Sequence, residues 1–150
     1  MKEIESLRPG MLLVATPDLR DPHFRRTVVY LVAHGSDGTV GVILNRPSET
    51  AVQNVLPTWA SHTSRPHAVF AGGPVQTSAA MCLGVCRNGT NPREVDGVVG
   101  VTGPVVLVDL DADPGCIRAH RTRVSRGPLP ASGSPGRGGK DRRFARTVPA

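Results

Sequence analysis

Apolar and polar positions alternate with period two along much of the first 110 residues, in short runs fenced by glycine and proline. MLLVATP (11–17) follows Pro9-Gly10 and stops at Pro17, which predicts a short strand with a breaker on each side. RTVVYLVAH (26–34) is dense in β-branched and aromatic residues, a composition that suits a pleated, largely buried position. GSDG (35–38) is turn chemistry, since Gly supplies positive φ and Ser and Asp bond their own backbone. TVGVILNRP follows as a second strand, so residues 26–46 are expected to form a β-hairpin. In that second strand Val40, Val42 and Leu44 share one face, and Gly41, Ile43 and Asn45 share the other. Pro47 ends the pairing, because it lacks a ladder donor and drives Arg46 toward an extended backbone.

Periodicity then changes. In AVQNVLPTWA (51–60), Val52, Val55, Leu56 and Trp59 fall at helical spacing. This predicts a helix capped by Ser48 or Thr50 and ended or kinked by Pro57. AVFAGGPV (68–75) reads as a strand running into a Gly-Gly-Pro turn. AMCLGVC (80–86) sets Met81, Leu83 and Val85 against Cys82, Gly84 and Cys86. PVVLVDLD (104–111) is the last strand of the body, and DADP opens a helix with Asp111 or Asp113 as cap and Pro114 in the first turn. Short strands with two helices predict an α+β fold rather than an alternating parallel one. From residue 115 onward, eight Arg, six Gly, four Pro and three Ser occur in 36 residues with no period. So little apolar surface cannot offset chain entropy, and the expectation is an ordered domain over 1–114 and a disordered tail over 115–150.

Composition refines the picture. A chain of 150 residues is the size of one domain, and with 3% aromatics its core must be aliphatic. No run approaches the roughly 20 apolar residues of a spanning helix, and the opening MKEIESLRPG is charged. Three cysteines, Cys82, Cys86 and Cys116, make no disulfide framework, so a cytoplasmic protein without membrane partners is expected. The formal net charge is +6, yet residues 1–114 hold nine basic and eleven acidic side chains, while 115–150 hold nine basic and one acidic. Nucleic-acid binding is therefore expected only non-specifically, through the tail, where Phe144 is the sole aromatic available for stacking.

Candidate chemistry is sparse. Arg26, Asn45 and Arg46 fall near the open end of the hairpin, whereas His34 borders its turn. Guanidiniums with an amide bind an anion bidentately. The competing reading is that Asn45 bonds a loop backbone as the strand ends and Arg46 pairs with Asp18 or Asp21. Gly72-Gly73 permits close backbone approach, either to a ligand phosphate or to another segment, without the spacing of a phosphate-binding loop. Cys82 and Cys86 lie roughly 13 Å apart on an extended strand, too far for a disulfide, and no second pair completes a zinc site. They read as buried small hydrophobes, with a thiol switch as the alternative. Asp109 and Asp111 share one face of a strand and either hold Mg²⁺, act in acid-base work or cap the following helix. No nucleophile beside a carboxylate-held histidine is legible. Catalytic residues, metal and cofactor therefore go unassigned, and the candidate ligand-binding set is Arg26, Asn45, Arg46, Gly72 and Gly73.

Three segments together, GMLLVATPDLRDPHFRRTVVYLVAH (10–34), GVILNRP (41–47) and FAGGPV (70–75), resemble the YqgE/AlgH family of small bacterial proteins in order and spacing. The resemblance covers residues 7–114. It implies an α+β domain whose mixed, largely antiparallel sheet curls into a barrel flanked by helices, with no cofactor. It also implies no established activity, some members carrying a transcriptional-regulator label. The expected function is thus a non-catalytic, regulatory or partner-binding domain acting on a protein or small molecule. The alternatives are anion or nucleotide binding, or redox-sensitive enzymology, around Arg26, Asn45, Arg46 and Gly72-Gly73, and nucleic-acid binding by the tail. Past Asp113 the family pattern of helix, strand and Gly-Tyr-Ala-Gly-Trp segment is missing. Arg, Gly, Pro and Ala, enriched there, have codons writable in G and C alone, so a frameshift product or an unrelated replacement is expected from about residue 115. A body lacking those strands would leave a hydrophobic sheet edge unpaired. Translating the other two frames of the gene past codon 110 checks this: a Gly-Tyr-Ala-Gly-Trp segment should emerge in one of them, and its absence from both counts against a frameshift.

Overall fold

Strand pairing sorts the chain into two sheets. The computed structural model describes residues 7–72, 80–114, 121–126 and 144–149. In the first sheet β1 (Met11–Ala15), β2 (Val28–Gly35) and β3 (Gly38–Ile43) form an antiparallel meander. The expected hairpin is present: Gly35 pairs with Gly38, leaving Ser36-Asp37 as a two-residue turn, and Gly38 takes φ 125°. The second sheet contains β4 (Pro47–Ala51), β5 (Ala68–Phe70), β6 (Ala80–Val85), β7 (Val98–Thr102) and β8 (Val105–Val108). Two later strands, β9 (Arg121–Arg126) and β10 (Phe144–Pro149), complete the strand orders β10-β1-β2-β3 and β4-β5-β9-β6-β8-β7. Only β5 and β9 run parallel, so the sheets are mixed and largely antiparallel, and with few helices the fold is α+β.

Side-chain alternation decides how the sheets stack. Tyr30, Val32 and Val42, with Leu12, Val40 and Leu44, meet Leu83, Met81, Val101, Val105 and Leu107 in one cluster, so the two sheets pack face to face. On the outer side of the first sheet, Met11, Val29, Leu31 and Ile43 are closed over by Leu7 and Phe24. On the outer side of the second, Val69, Cys82, Cys86, Val106 and Val108 pack against Val52 and Trp59. The division of β3 into a Val40, Val42, Leu44 face and an Ile43 face, and of β6 into Met81, Leu83 and Cys82, Cys86 faces, follows the predicted period of two. Val29, Leu31 and Ile43 are wholly buried, each contributing about 1.5–3 kcal/mol relative to exposure.

The helical segment is shorter than its spacing suggests. Pro57 splits it into one α-turn, Val52–Val55, and a 3₁₀ turn, Pro57–His62. Neither Ser48 nor Thr50 caps it: both lie in β4, Ala51 occupies the cap position without a side-chain bond, and the Ser48 hydroxyl donates to the Val69 carbonyl instead. Trp59 still reaches the core, with its indole Nε1–H donating to the Leu110 carbonyl at 2.9 Å. The helix expected past Asp113 lies outside the described residues. No helix among those described is long and apolar enough to cross a membrane.

One expectation needs correction. No closed barrel is found among the described residues, since the strand orders end at β10 and β3 and at β4 and β7. The chain passes from one sheet to the other after Ile43, and the sheets join by side-chain packing instead of a continuous ladder. Within 115–150 the described residues are 121–126 and 144–149: β9 pairs antiparallel with β6 from Ala80↔Arg126 to Val85↔Arg121, and β10 pairs with β1 from Met11↔Pro149 to Ala15↔Phe144. The rest of the tail, 115–120, 127–143 and 150, lies outside the described residues. In the two strand orders β10 lies beside β1, and β9 lies between β5 and β6.

Gly10 is required where the two sheets approach. It takes φ 91°, its amide donates to the Leu31 carbonyl at 2.7 Å, and a Cβ there would sit 2.6 Å from Thr102 Oγ1.

One polar atom is stranded between the sheets. Tyr30 is 4% exposed, and among the described residues its buried hydroxyl has no hydrogen-bond partner. Burial raises its pKa, favouring the neutral phenol in the fold. The resulting stability is whole below the ordinary tyrosine value and is lost as pH rises through the raised folded value. Tyr30→Phe should therefore hold or raise the urea-unfolding free energy at pH 7, by up to about 1–3 kcal/mol, and should flatten the decline above about pH 10. A clear loss of stability at pH 7 would show that the hydroxyl is bonded.

Candidate functional site

The chain changes sheets at Leu44-Asn45-Arg46, between the end of β3 and the start of β4. Pro47 ends one ladder and opens the next as the first residue of an edge strand, a place where a missing N–H is tolerated. Both side chains before it turn back onto the loop that joins β1 to β2. Asn45 Oδ1 accepts from the Val28 amide at 2.9 Å while its Nδ2 donates to the Arg26 carbonyl at 2.8 Å. Arg46 Nη1 donates to the carbonyls of His23 and, at 3.5 Å, Pro22, and its Nη2 donates to that of Arg25 at 2.9 Å. Arg46's own carbonyl accepts from the Ala71 amide at 2.8 Å, tying the crossover to the end of β5.

Asn45 thus bonds a loop backbone as the strand ends, as its place in the hairpin suggests. Arg46, by contrast, bonds carbonyls and not the carboxylate of Asp18 or Asp21. Those carboxylates have local work: Asp21 Oδ1 accepts from the amides of His23 at 2.8 Å and Phe24 at 3.2 Å. Asp18 is held below its ordinary pKa first by a hydrogen bond with the Thr16 side chain and then by its own amide. The loop closes on itself further, with the Arg25 amide bonded to the Asp21 carbonyl at 2.9 Å and the Thr27 hydroxyl to the Phe24 carbonyl at 2.6 Å.

This winding leaves Arg26 at φ 56°, the only non-glycine residue of positive φ among those described. A left-handed position costs a residue with a Cβ roughly 1–2 kcal/mol, and the two Asn45 bonds offset it. With its carbonyls drawn inward, the loop presents its side chains outward. Pro17, Leu19, Arg20, Arg25, Arg26, Asn45 and Arg46 line an open cleft of about 570 Å³. Arg20, Arg25 and Arg26 are exposed, and no carboxylate stands among the lining residues.

Of the candidate ligand-binding residues, Arg26, Asn45 and Arg46 therefore come together. Gly72 does not line the cleft, although Ala71 beside it bonds the crossover, and Gly73 lies outside the described residues. Arg20 and Arg25 were missed by sequence reasoning; three arginines in the single loop TPDLRDPHFRRT were the available signal. His34 is at the far end of the hairpin, its Nδ1 bonded with Thr39 Oγ1 at 2.7 Å. Cys82 and Cys86 are buried thiols, and burial pushes the Cys86 pKa up, away from a reactive thiolate. Asp109 Oδ1 accepts from the Asp111 amide at 3.0 Å, a local turn. No group of three or more metal-ligating side chains gathers among the described residues.

Asn45 is expected to be the stabilising member of the set. Asn45→Asp keeps the acceptor but loses the donor to the Arg26 carbonyl, and it should lower the unfolding free energy by about 1–3 kcal/mol in urea titration. A neutral result would mean that the crossover does not depend on this amide.

Comparison with known proteins places the chain. The family model described as AlgH-like (DUF179) matches residues 12–128, taking in β9 beyond Pro114. A UPF0301 protein of Mycolicibacterium smegmatis is 59% identical over 108 residues, 72% of this chain and 54% of the relative. One from Mycobacterium tuberculosis is 53% identical over 115 residues, 77% of this chain and 57% of the relative. The chain spans about half the length of these curated relatives. It is similar to a crystal structure of a Corynebacterium diphtheriae protein, with TM-score 0.79 and 33% identity over 82% of this chain and 65% of that one. It is also similar to the solution structure of the AlgH protein from Pseudomonas aeruginosa, with TM-score 0.61 and 25% identity over 94% and 76%. The chain thus belongs to the AlgH-like family, the bacterial UPF0301 proteins of uncharacterised function.

Proposed function

We propose that this chain is a non-catalytic, regulatory binding domain whose ligand is an anion held in the cleft at the sheet crossover. One observation carries the reading: four of the nine basic residues in 1–114 line a single cleft with no carboxylate among the lining residues, although that stretch is net negative. Guanidiniums gathered without counter-charges repel one another, and an anion relieves that repulsion while accepting bidentate bonds. The same lining favours binding over chemistry, because arginine stays protonated at any working pH and asparagine does not titrate. An amide and four guanidiniums supply neither nucleophile nor general base.

Arg46 already directs both terminal nitrogens at loop carbonyls, so the side chains that would meet a ligand are Arg20, Arg25 and Arg26. Inorganic phosphate should raise the thermal midpoint with the logarithm of its concentration once above its dissociation constant, by mass action on the folded state, and sodium chloride of matched ionic strength should not. Arg20→Ser and Arg25→Ser should each weaken that response about tenfold while leaving the unliganded midpoint nearly unchanged. A midpoint indifferent to phosphate and sulfate, or a response retained by both variants, rejects the cleft as an anion site.

A further inference from the structure

Resting on the reading of the cleft as an anion site, we infer that its ligand is a compact, multiply charged phosphate of the diphosphate class, and that Arg26 keeps its left-handed backbone in order to present a guanidinium to it. The backbone supplies the first reason. Position 26 has φ 56°, where glycine or asparagine would sit with less strain, and the chain carries arginine there. Strain of this kind persists where the surroundings over-determine it and concentrates at binding sites. The surroundings here are specific: the carbonyl of Arg26 is held by Asn45 Nδ2 and the next amide but one, Val28, by Asn45 Oδ1. Asn45 is thus a positioning residue for Arg26.

Charge and shape supply the second reason. Arg20, Arg25 and Arg26 bring three formal positive charges to one cleft and come from one loop, with Arg46 from the crossover forming the other side. A planar carboxylate offers two oxygens in one plane, enough for one guanidinium fork. A phosphate offers oxygens in several directions, and a diphosphate has enough oxygens and charge to engage three forks at once. No aromatic side chain lines the cleft, so a nucleobase attached to the diphosphate finds no stacking platform there.

Titration calorimetry at fixed ionic strength, with orthophosphate, pyrophosphate, citrate and ADP as probes, tests this on the wild-type chain and on Arg26→Gly. Pyrophosphate should bind at least about tenfold more tightly than orthophosphate or citrate, and ADP no more tightly than pyrophosphate. Arg26→Gly should melt at a higher temperature without ligand and lose about tenfold or more in pyrophosphate affinity. Should the glycine variant fail to melt cooperatively, Arg26→Asn, which also tolerates positive φ, carries the same comparison. Citrate binding as tightly as pyrophosphate, ADP binding much more tightly, or an Arg26 variant keeping full affinity would each overturn the diphosphate inference while leaving an anion site standing. Binding of none of the four probes would remove the anion site itself.

Discussion

The fold turns on satisfying backbone polar groups at the place where the chain leaves one sheet for another. A strand that stops at Ile43 and a second that starts at Pro47 leave three residues to make the passage, and the β1–β2 loop lies alongside with its carbonyls unpaired by any ladder. Buried or crowded backbone groups must find partners. Asn45 and Arg46 provide them: one amide serves as acceptor and donor across Val28 and Arg26, and one guanidinium gathers three carbonyls from Pro22, His23 and Arg25. The sheets then pack face to face through Tyr30, Val42 and Leu83 because the crossover fixes where the second sheet begins.

That solution shapes the surface above it. Drawing the loop carbonyls toward Arg46 turns the loop's side chains outward, and the sequence there is rich in arginine. Thr27, 1% exposed and bonded to the Phe24 carbonyl, anchors the inner end, while Leu19 anchors the other. Between those anchors Arg20, Arg25 and Arg26 face solvent around one cleft. Their clustering is local; elsewhere in residues 1–114 acidic side chains predominate. Low overall charge in that body therefore coexists with four arginines around one cleft, which net charge alone conceals.

How much of this the sequence carried depends on what each signal measures. Alternation reports burial, and where both faces of a strand are covered by core, as in β2, β3 and β6, strand and face were both legible. The Pro57 break was legible because proline acts through its own covalent structure. The edge strands were not: β4 is polar PSETA, and β7 carries a glycine and places Val99 at 67% exposure, so neither shows a clean period. Strands β9 and β10 escaped for a related reason, since their pairing is backbone to backbone with β6 and β1 and composition does not record it. At the site, Asn45 and Arg46 stood out as polar residues ending an apolar run. The direction in which they bond could not be read, because it depends on a loop about twenty residues away. Arg20 and Arg25 looked like ordinary loop residues until that loop's backbone was seen to be folded inward.

The two kinds of arginine around the cleft are physically different, and this separates architecture from recognition. Arg46 has its terminal donors directed at loop carbonyls, so its removal unties the crossover from the β1–β2 loop. Arg20 and Arg25 are exposed, and solvent replaces whatever they give up. Arg26 stands between the two: its backbone belongs to the scaffold through Asn45, and its side chain belongs to the cleft. A residue whose main chain is strained for the benefit of its side chain is the one place where stability and recognition are in direct opposition. Here that opposition falls at the residue next to Thr27, the buried end of the loop, so the rigidity of the scaffold is transmitted to the charge that meets solvent.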